Sequence, residues 1–174
     1  MPRAPDFSVA ALHAALVAQR DARGMNWQQV AREISARFDK GPAKPVSAST
    51  LRSLCERAAV EGDGVLQMLL WLDRTPESFV ADSNGGVDAK DAALRRLESH
   101  QILRFDAKAL YATLDGRRTE RALTWTQIAD AIGGVTAAGL TRLANGGRVA
   151  FPHVMRITRW LGQPAATFTR ASDW

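Results

Sequence analysis

The residues able to do chemistry in this 174-residue chain are few, and their kinds narrow what the chain can do. Three histidines, His13, His100 and His153, lie far apart, with no cysteine or carboxylate cluster at metal-ligand spacing. The single cysteine, Cys55, rules out an intrachain disulfide, as suits a reducing compartment. Its place beside an apolar leucine predicts a small buried residue rather than a reactive thiol. No phosphate-cradling glycine loop and no nucleophile elbow is present in the sequence. The expectation is therefore no enzyme, no metal and no cofactor. What remains is cationic. Residues 102–174 carry 10 Lys/Arg against 5 Asp/Glu, residues 1–80 carry 10 against 9, and residues 81–101 carry 3 against 4. The chain's net +5 thus sits entirely in its C-terminal part. That balance suits a polyanion such as nucleic acid, and an arginine-rich solvated surface explains it equally well.

The elements that must position these groups come in two copies. Phe7–Ile34 aligns with Phe105–Ile132 at a shift of 98, with 11 of 28 residues identical, among them Trp27/Trp125, Gln29/Gln127 and Ala31/Ala129. The match resumes at a shift of 89 from Val46/Val135 to Phe79/Phe168, with 9 of 34 identical, including Leu51/Leu140, Leu54/Leu143 and Trp71/Trp160. The shared residues are mostly apolar at helical spacing, so what repeats is a core pattern, and the recurring tryptophans read as packing. Three divisions follow: 6–80, a linker 81–101, and 102–174. Within the linker, "SNGG" reads as a break and Asp88 as the cap of a short connecting helix carrying Leu94 and Leu97.

Each copy parses into about five helices, in the second copy near 106–120, 125–132, 136–144, 151–161 and 164–169. Thr124-Trp-Thr-Gln127 and Asn26-Trp-Gln-Gln29 have the form of capping boxes, in which each end residue satisfies an orphan amide of the other. Asn145-Gly146-Gly147 closes the third helix where a left-handed residue is needed. Between two short helices, "LTWTQIADAIGGVTAAGLTRLANG" (123–146) supplies a small residue for a close crossing (Ala129), a turn (Gly133-Gly134) and an apolar knob (Leu140). That is the layout of a helix-turn-helix, whose protruding second helix fits a major groove.

With "RWLG" and the following Phe168 included, the second copy resembles the Xre/Cro-type helix-turn-helix family, the lambda-repressor-like DNA-binding domain of bacterial and phage regulators. The first copy, with "MNWQQVAREI", "VSASTLRSLCERA" and "LLWLDRTPESF", resembles it too. The resemblance implies an all-α chain of two tandem five-helix lambda-repressor-like domains joined by a short, partly helical linker. It implies phosphate contacts at Thr136 and Asn145, and base reading from Ala137, Ala138 and Arg142 with help from Thr141. It also implies that the helix beginning at Trp125 presses its N-terminus toward a phosphate, and that Arg148 reaches the DNA backbone. In the first copy Ser47, Ala48, Ser49, Arg52 and Ser53 hold the corresponding stretch, with Glu56 opposite Asn145.

Both copies depart from the family's pattern. The turn of the second holds one extra glycine, and that of the first ten extra residues, "RFDKGPAKPV" (37–46), whose two prolines prevent a simple helix extension. Glu61 and Asp63 fall in a loop that the family places beside DNA, where carboxylates repel phosphates. Arg117, Arg118 and Arg121 end the first helix of copy two and suit either the helix dipole or a phosphate.

With 46% hydrophobic and 7% aromatic residues the composition favours helices, and the longest apolar run, Val65–Leu72, is too short to span a bilayer. The N-terminus lacks a signal-peptide layout, so a cytoplasmic place is expected. Neither a further domain after the second copy nor a dedicated small-ligand sensor is expected. The sequence thus predicts a sequence-specific regulator of transcription whose partner is double-stranded DNA, read chiefly by copy two. Either the covalent tandem acts as a pseudo-dimer, or copy one aids binding or forms a homodimer while copy two reads; the carboxylates and the insertion of copy one favour the second. The alternative is a protein-interaction module, anti-activator or antitoxin-like, that binds a protein partner and keeps the fold without specific DNA reading. The small residues Ala137, Ala138 and Gly139 favour that alternative, and Arg142 opposes it.

Overall fold

The computed structural model describes residues 6–36, 46–56, 60–80, 94, 97–98, 101–146 and 148–173, and they are mostly helical. The order is α1 (Val9–Ala22), α2 (Trp27–Ser35), α3 (Ala48–Arg52), α4 (Gly62–Leu72), then α5 (Ala107–Glu120), α6 (Trp125–Ile132), α7 (Ala137–Arg142) and α8 (Phe151–Leu161). Short 3-10 turns follow α3 (Leu54–Glu56), α4 (Pro76–Phe79), α7 (Leu143–Asn145) and α8 (Ala165–Phe168). The same succession therefore occurs twice.

The helices begin where chemistry allows. Both capping boxes form: the Asn26 side chain accepts from the Gln29 amide and the Thr124 hydroxyl from the Gln127 amide, while each glutamine accepts from the backbone of its cap. Each such cap stabilises a helix by about 1 kcal/mol. Helix α6 stops at Gly133 (φ 73°, ψ 142°) and Gly134 follows at φ 67°, two conformations a side chain resists, so the paired glycines make the turn. The third helix of copy two is shorter than predicted, tightening after Arg142, and the fifth is only a 3-10 turn. The ten-residue insertion of copy one lies outside the described residues except for Val46, which packs against the core.

One element was not anticipated. Gln101–Phe105 (β1) pairs antiparallel with Thr169–Asp173 (β2), in register from Gln101↔Asp173 to Phe105↔Thr169. Its counterpart in copy one is the single bridge Phe7↔Val80, which occupies the same repeat positions. The backbone bonds Ser8 N to Phe79 O (2.8 Å) and Asp106 N to Phe168 O (2.7 Å) are likewise equivalent. The sheet is thus an extension of a closure that both repeats share. Of the predicted connecting helix most lies outside the described residues; Leu94, Leu97 and Glu98 are not helical, and both leucines pack on the first core.

Two cores result. The smaller gathers Leu110, Leu114, Ile128, Leu140, Leu143, Ile157 and Phe168 from repeat two. The larger gathers Leu12, Leu16, Val30, Leu51, Leu54, Val65, Leu66 and Leu69 from repeat one, and also Leu103, Phe151, Met155 and Ala165 from repeat two. The repeats are consequently packed on one another. At their joint the Gly62 amide donates to Val149 O (3.1 Å) and the Phe151 amide to Val60 O (3.0 Å), around an antiparallel bridge between Glu61 and Ala150. Since 60 aligns with 149 and 62 with 151, each bond is the other with the repeats exchanged. The joint has a local two-fold character.

Candidate nucleic-acid interface

Helix α7 packs against α6 and turns one side inward: Leu140 and Leu143 are buried, while Ala138, Thr141, Arg142 and Asn145 are exposed. The Thr136 hydroxyl caps it, accepting from the Gly139 amide at 3.0 Å. The Thr141 hydroxyl donates back to Ala138 O at 3.2 Å, which leaves its lone pairs outward. Among the described residues Arg142 and Asn145 make no hydrogen bond, ion pair or ring contact, so their donors face solvent. An exposed guanidinium next to a carboxamide on a protruding helix can bond planar acceptor pairs, base edges or phosphates.

Two predicted members of the outward faces of α7 and α3 are turned partly inward. Ala137 is half-buried against the second core and Ala48 against the first, so neither lies on the outward face. Trp125 is not free either. Its ring is stacked on Tyr111 (centroids 5.3 Å apart) and covered by Arg118 (5.4 Å), leaving only the first amides of α6, which no helical carbonyl reaches, for an anion.

In copy one Ser47 caps α3 through the Thr50 amide, and its hydroxyl also meets Ser49 (2.8 Å) and Thr50 (2.9 Å). Ser53 donates to Ser49 O, a local bond that keeps its hydroxyl on the helix. Arg52 is exposed and makes no polar contact among the described residues. Cys55 is exposed, contrary to the expectation of a buried small residue. It follows α3 in a 3-10 turn that rotates it away from Leu54.

The carboxylates expected to repel phosphates do something else. Glu61 pairs with Arg148 (3.0 Å), and Asp63 accepts from the Phe105 amide (3.0 Å) with Arg104 at 3.5 Å. Both sit in the joint between the repeats, and Arg148, although exposed, is already partnered. Asp6 completes the set, accepting two bonds of 2.7 Å from Arg156, whose third nitrogen donates to Gly134 O in the turn of the second motif. Hydrogen bonding to Asp6 first, and its charge, raise the Arg156 pKa further above its ordinary value.

The arginines ending α5 are also engaged. Arg118 pairs with Asp115 (2.8 Å), Arg121 lies over Trp160, and Arg117 faces Glu120 at 3.9 Å. In repeat one Arg20 over Trp27 and Arg23 over Trp71 match them position for position, which favours a structural role. Arg23 and Trp71 meet on Glu33, whose pKa is lowered by the Trp71 hydrogen bond and then by Arg23.

Sequence reasoning missed Lys108. It is exposed in the first turn of α5, and its aliphatic chain crosses Gly146, where a β-carbon would come within 3.1 Å of Cε. The left-handed glycine after the 3-10 turn thereby lets a lysine reach the turn that ends α7. An unpaired lysine aligned with Ala10 was the available signal.

Among the described residues no group of three or more His, Cys, Asp or Glu side chains gathers as a metal site requires, and no helix is long and apolar enough to cross a membrane. Neither the protein-family models, nor the curated proteins, nor the solved structures contain a match to this chain.

Proposed function

We propose that this protein is a sequence-specific, double-stranded-DNA-binding regulator of transcription, built from two tandem five-helix lambda-repressor-like helix-turn-helix domains. One observation carries the proposal: a capped short helix buries Leu140 and Leu143 and presents Ala138, Thr141, Arg142 and Asn145 outward, the last two without partners among the described residues. Arg142 reads a base edge, Thr136 and Asn145 hold phosphates, and Lys108 adds a cation at the helix end. The doubled order of elements supports the tandem, and Arg52 with Ser49 offers a weaker second reader. The test is selection from a random duplex pool at physiological salt with the whole chain and with Arg142→Ala. The expected result is an enriched site that the variant binds about 10- to 100-fold less tightly, the worth of one bidentate base contact.

A protein-interaction module is the second reading, and one observation favours it: Arg104, Arg148 and Arg156 of the basic repeat are paired with carboxylates of repeat one. Folded protein that enriches no sequence would overturn DNA reading and turn the search to protein partners.

A further inference from the structure

We infer that a single chain acts as its own dimer: the two repeats occupy two half-sites one helical turn apart, and no second chain is needed, because like repeats cannot form the same joint. The inference rests on the DNA reading proposed above and adds stoichiometry and spacing to it.

The joint is two-fold in its backbone and one-sided in its side chains. The paired amide bonds exchange with the repeats, but the residues beside them do not. Gly62 is a hole: a β-carbon there would lie 2.7 Å from the Phe105 ring and 3.0 Å from Val149 O. Its counterpart is Phe151, which is fully buried against Phe7 (4.5 Å) and Phe105 (5.5 Å). If two copies of repeat two met through this surface, a phenylalanine would stand where not even a methyl fits. If two copies of repeat one met, glycine would face glycine and the ring that fills the joint would be missing. Glu61 would then meet a second copy of itself where Ala150 stands, and the sequence offers Ala59 at the position of its partner Arg148. Only the unlike pair closes, and the unlike pair is present within each chain.

The joint also limits spacing. Asn145 and Val149 stand four positions apart along the chain, as do Glu56 and Val60. Extended chain covers at most ~3.6 Å per residue, so each reading helix ends within about 14 Å of the bridge. With paired strands about 5 Å apart and about 6 Å more to each helix centre, the centres lie at most about 45 Å from one another. Half-sites one turn apart need about 34–36 Å, and two turns need about twice that. One turn is reachable and two are not.

The test takes the selected site and measures stoichiometry by sedimentation of the intact protein with duplex. It then compares duplexes carrying 5 and 10 extra base pairs between the half-sites. The expected result is one chain per duplex and a loss of about 100-fold or more for both insertions, the avidity forfeited when two sites cannot be engaged together. Two chains per duplex, or recovery at 10 extra base pairs, would overturn the inference while leaving DNA reading intact. No enriched sequence at all would overturn both.

Discussion

Two glycines two residues apart on α4 should respond oppositely to the same substitution. Gly62 and Gly64 both have helical backbones, so alanine gains helix propensity at each, by up to about 1 kcal/mol and less in a first turn. Around Gly64 nothing lies within 4 Å of the added carbon, so Gly64→Ala should stabilise by about 0.5–1 kcal/mol. At Gly62 the same carbon would meet Phe105 Cδ2 at 2.7 Å, Cε2 at 3.1 Å and Val149 O at 3.0 Å. The ring can shift, but the carbonyl accepts the Gly62 amide and is held by it. Overpacking of this kind costs about 1–3 kcal/mol, so Gly62→Ala should be net destabilising by about 0.5–2 kcal/mol. At about 2–4 °C per kcal/mol for a chain of this size, thermal melts should place the two variants on opposite sides of the parent. Urea titration should give the same order, and Phe105→Leu should recover part of the Gly62→Ala loss by shortening the obstructing ring. If Gly62→Ala stabilises as much as Gly64→Ala, the repeats do not meet as described, and the hole-and-ring basis of the single-chain dimer falls with them.

Three further outcomes follow from partners already described. Arg156→Ala removes a half-buried guanidinium from Asp6 and from Gly134 O, and denaturation should show a loss of about 1–2 kcal/mol; a double-mutant cycle with Asp6→Asn should show coupling, and strict additivity would deny the ion pair a role. Burial, and then the charge of Arg156, hold the His153 imidazole below its ordinary pKa of 6.5. The folded chain therefore binds fewer protons than the unfolded one below that value, so stability is whole above it and declines as pH falls through it. His153→Gln should flatten the stability profile between about pH 7 and pH 5, and an unchanged profile would assign that decline elsewhere. Exposed Cys55 should react with a thiol reagent in the native protein about as fast as in the unfolded chain; protection by a selected duplex would place α3 on DNA, and labelling indifferent to DNA would remove repeat one from the contact.

What could be read in the sequence was local or doubled. The capping boxes at Asn26 and Thr124 announce helix starts because their partners are three residues away, and α6 and α8 fall at their predicted bounds. The doubled apolar pattern gave the core lists because the same spacing recurs with the same residues. Gln101–Phe105 escaped because Thr169–Asp173, the partner that makes it a strand, lies 64 or more residues away and has no apolar alternation of its own. Cys55 was misplaced because alignment with Ala144 says only that a small side chain fits, and Ala144 is itself exposed. Ala137 turns partly inward because it stands three residues before buried Leu140, on the same side of the helix. Glu61 and Asp63 were assigned to a DNA-facing loop since nothing in one sequence marks which loops meet each other.

That last error changes the meaning of the charge imbalance. Of the ten cations in residues 102–174, Arg104, Arg148 and Arg156 face Asp63, Glu61 and Asp6 of repeat one, while Arg117 and Arg118 face carboxylates of their own helix. The acidic share of repeat one and the basic surplus of repeat two are thus partly the two sides of one joint. Among the described residues, the side chains of Lys108, Arg142 and Arg170 remain without a hydrogen bond, ion pair or ring contact, and in repeat one those of Arg32 and Arg52 do. Of these, Lys108, Arg142 and Arg52 belong to α7, to α3 or to their ends, the helices proposed to read DNA. Arg148 could join them, because an exposed ion pair such as the one it forms with Glu61 is worth only about 0–1 kcal/mol. Three or four phosphates neutralised at about 0.9 each give a slope of log affinity against log salt near −3. If all ten cations of repeat two faced DNA, the slope would be about −9. Titrating binding to the selected duplex between 50 and 200 mM salt, a range over which such slopes separate widely, distinguishes the two. A slope steeper than about −6 would mean that the joint's arginines abandon their carboxylates on DNA, and the two repeats would then have to rearrange on binding rather than dock as they stand.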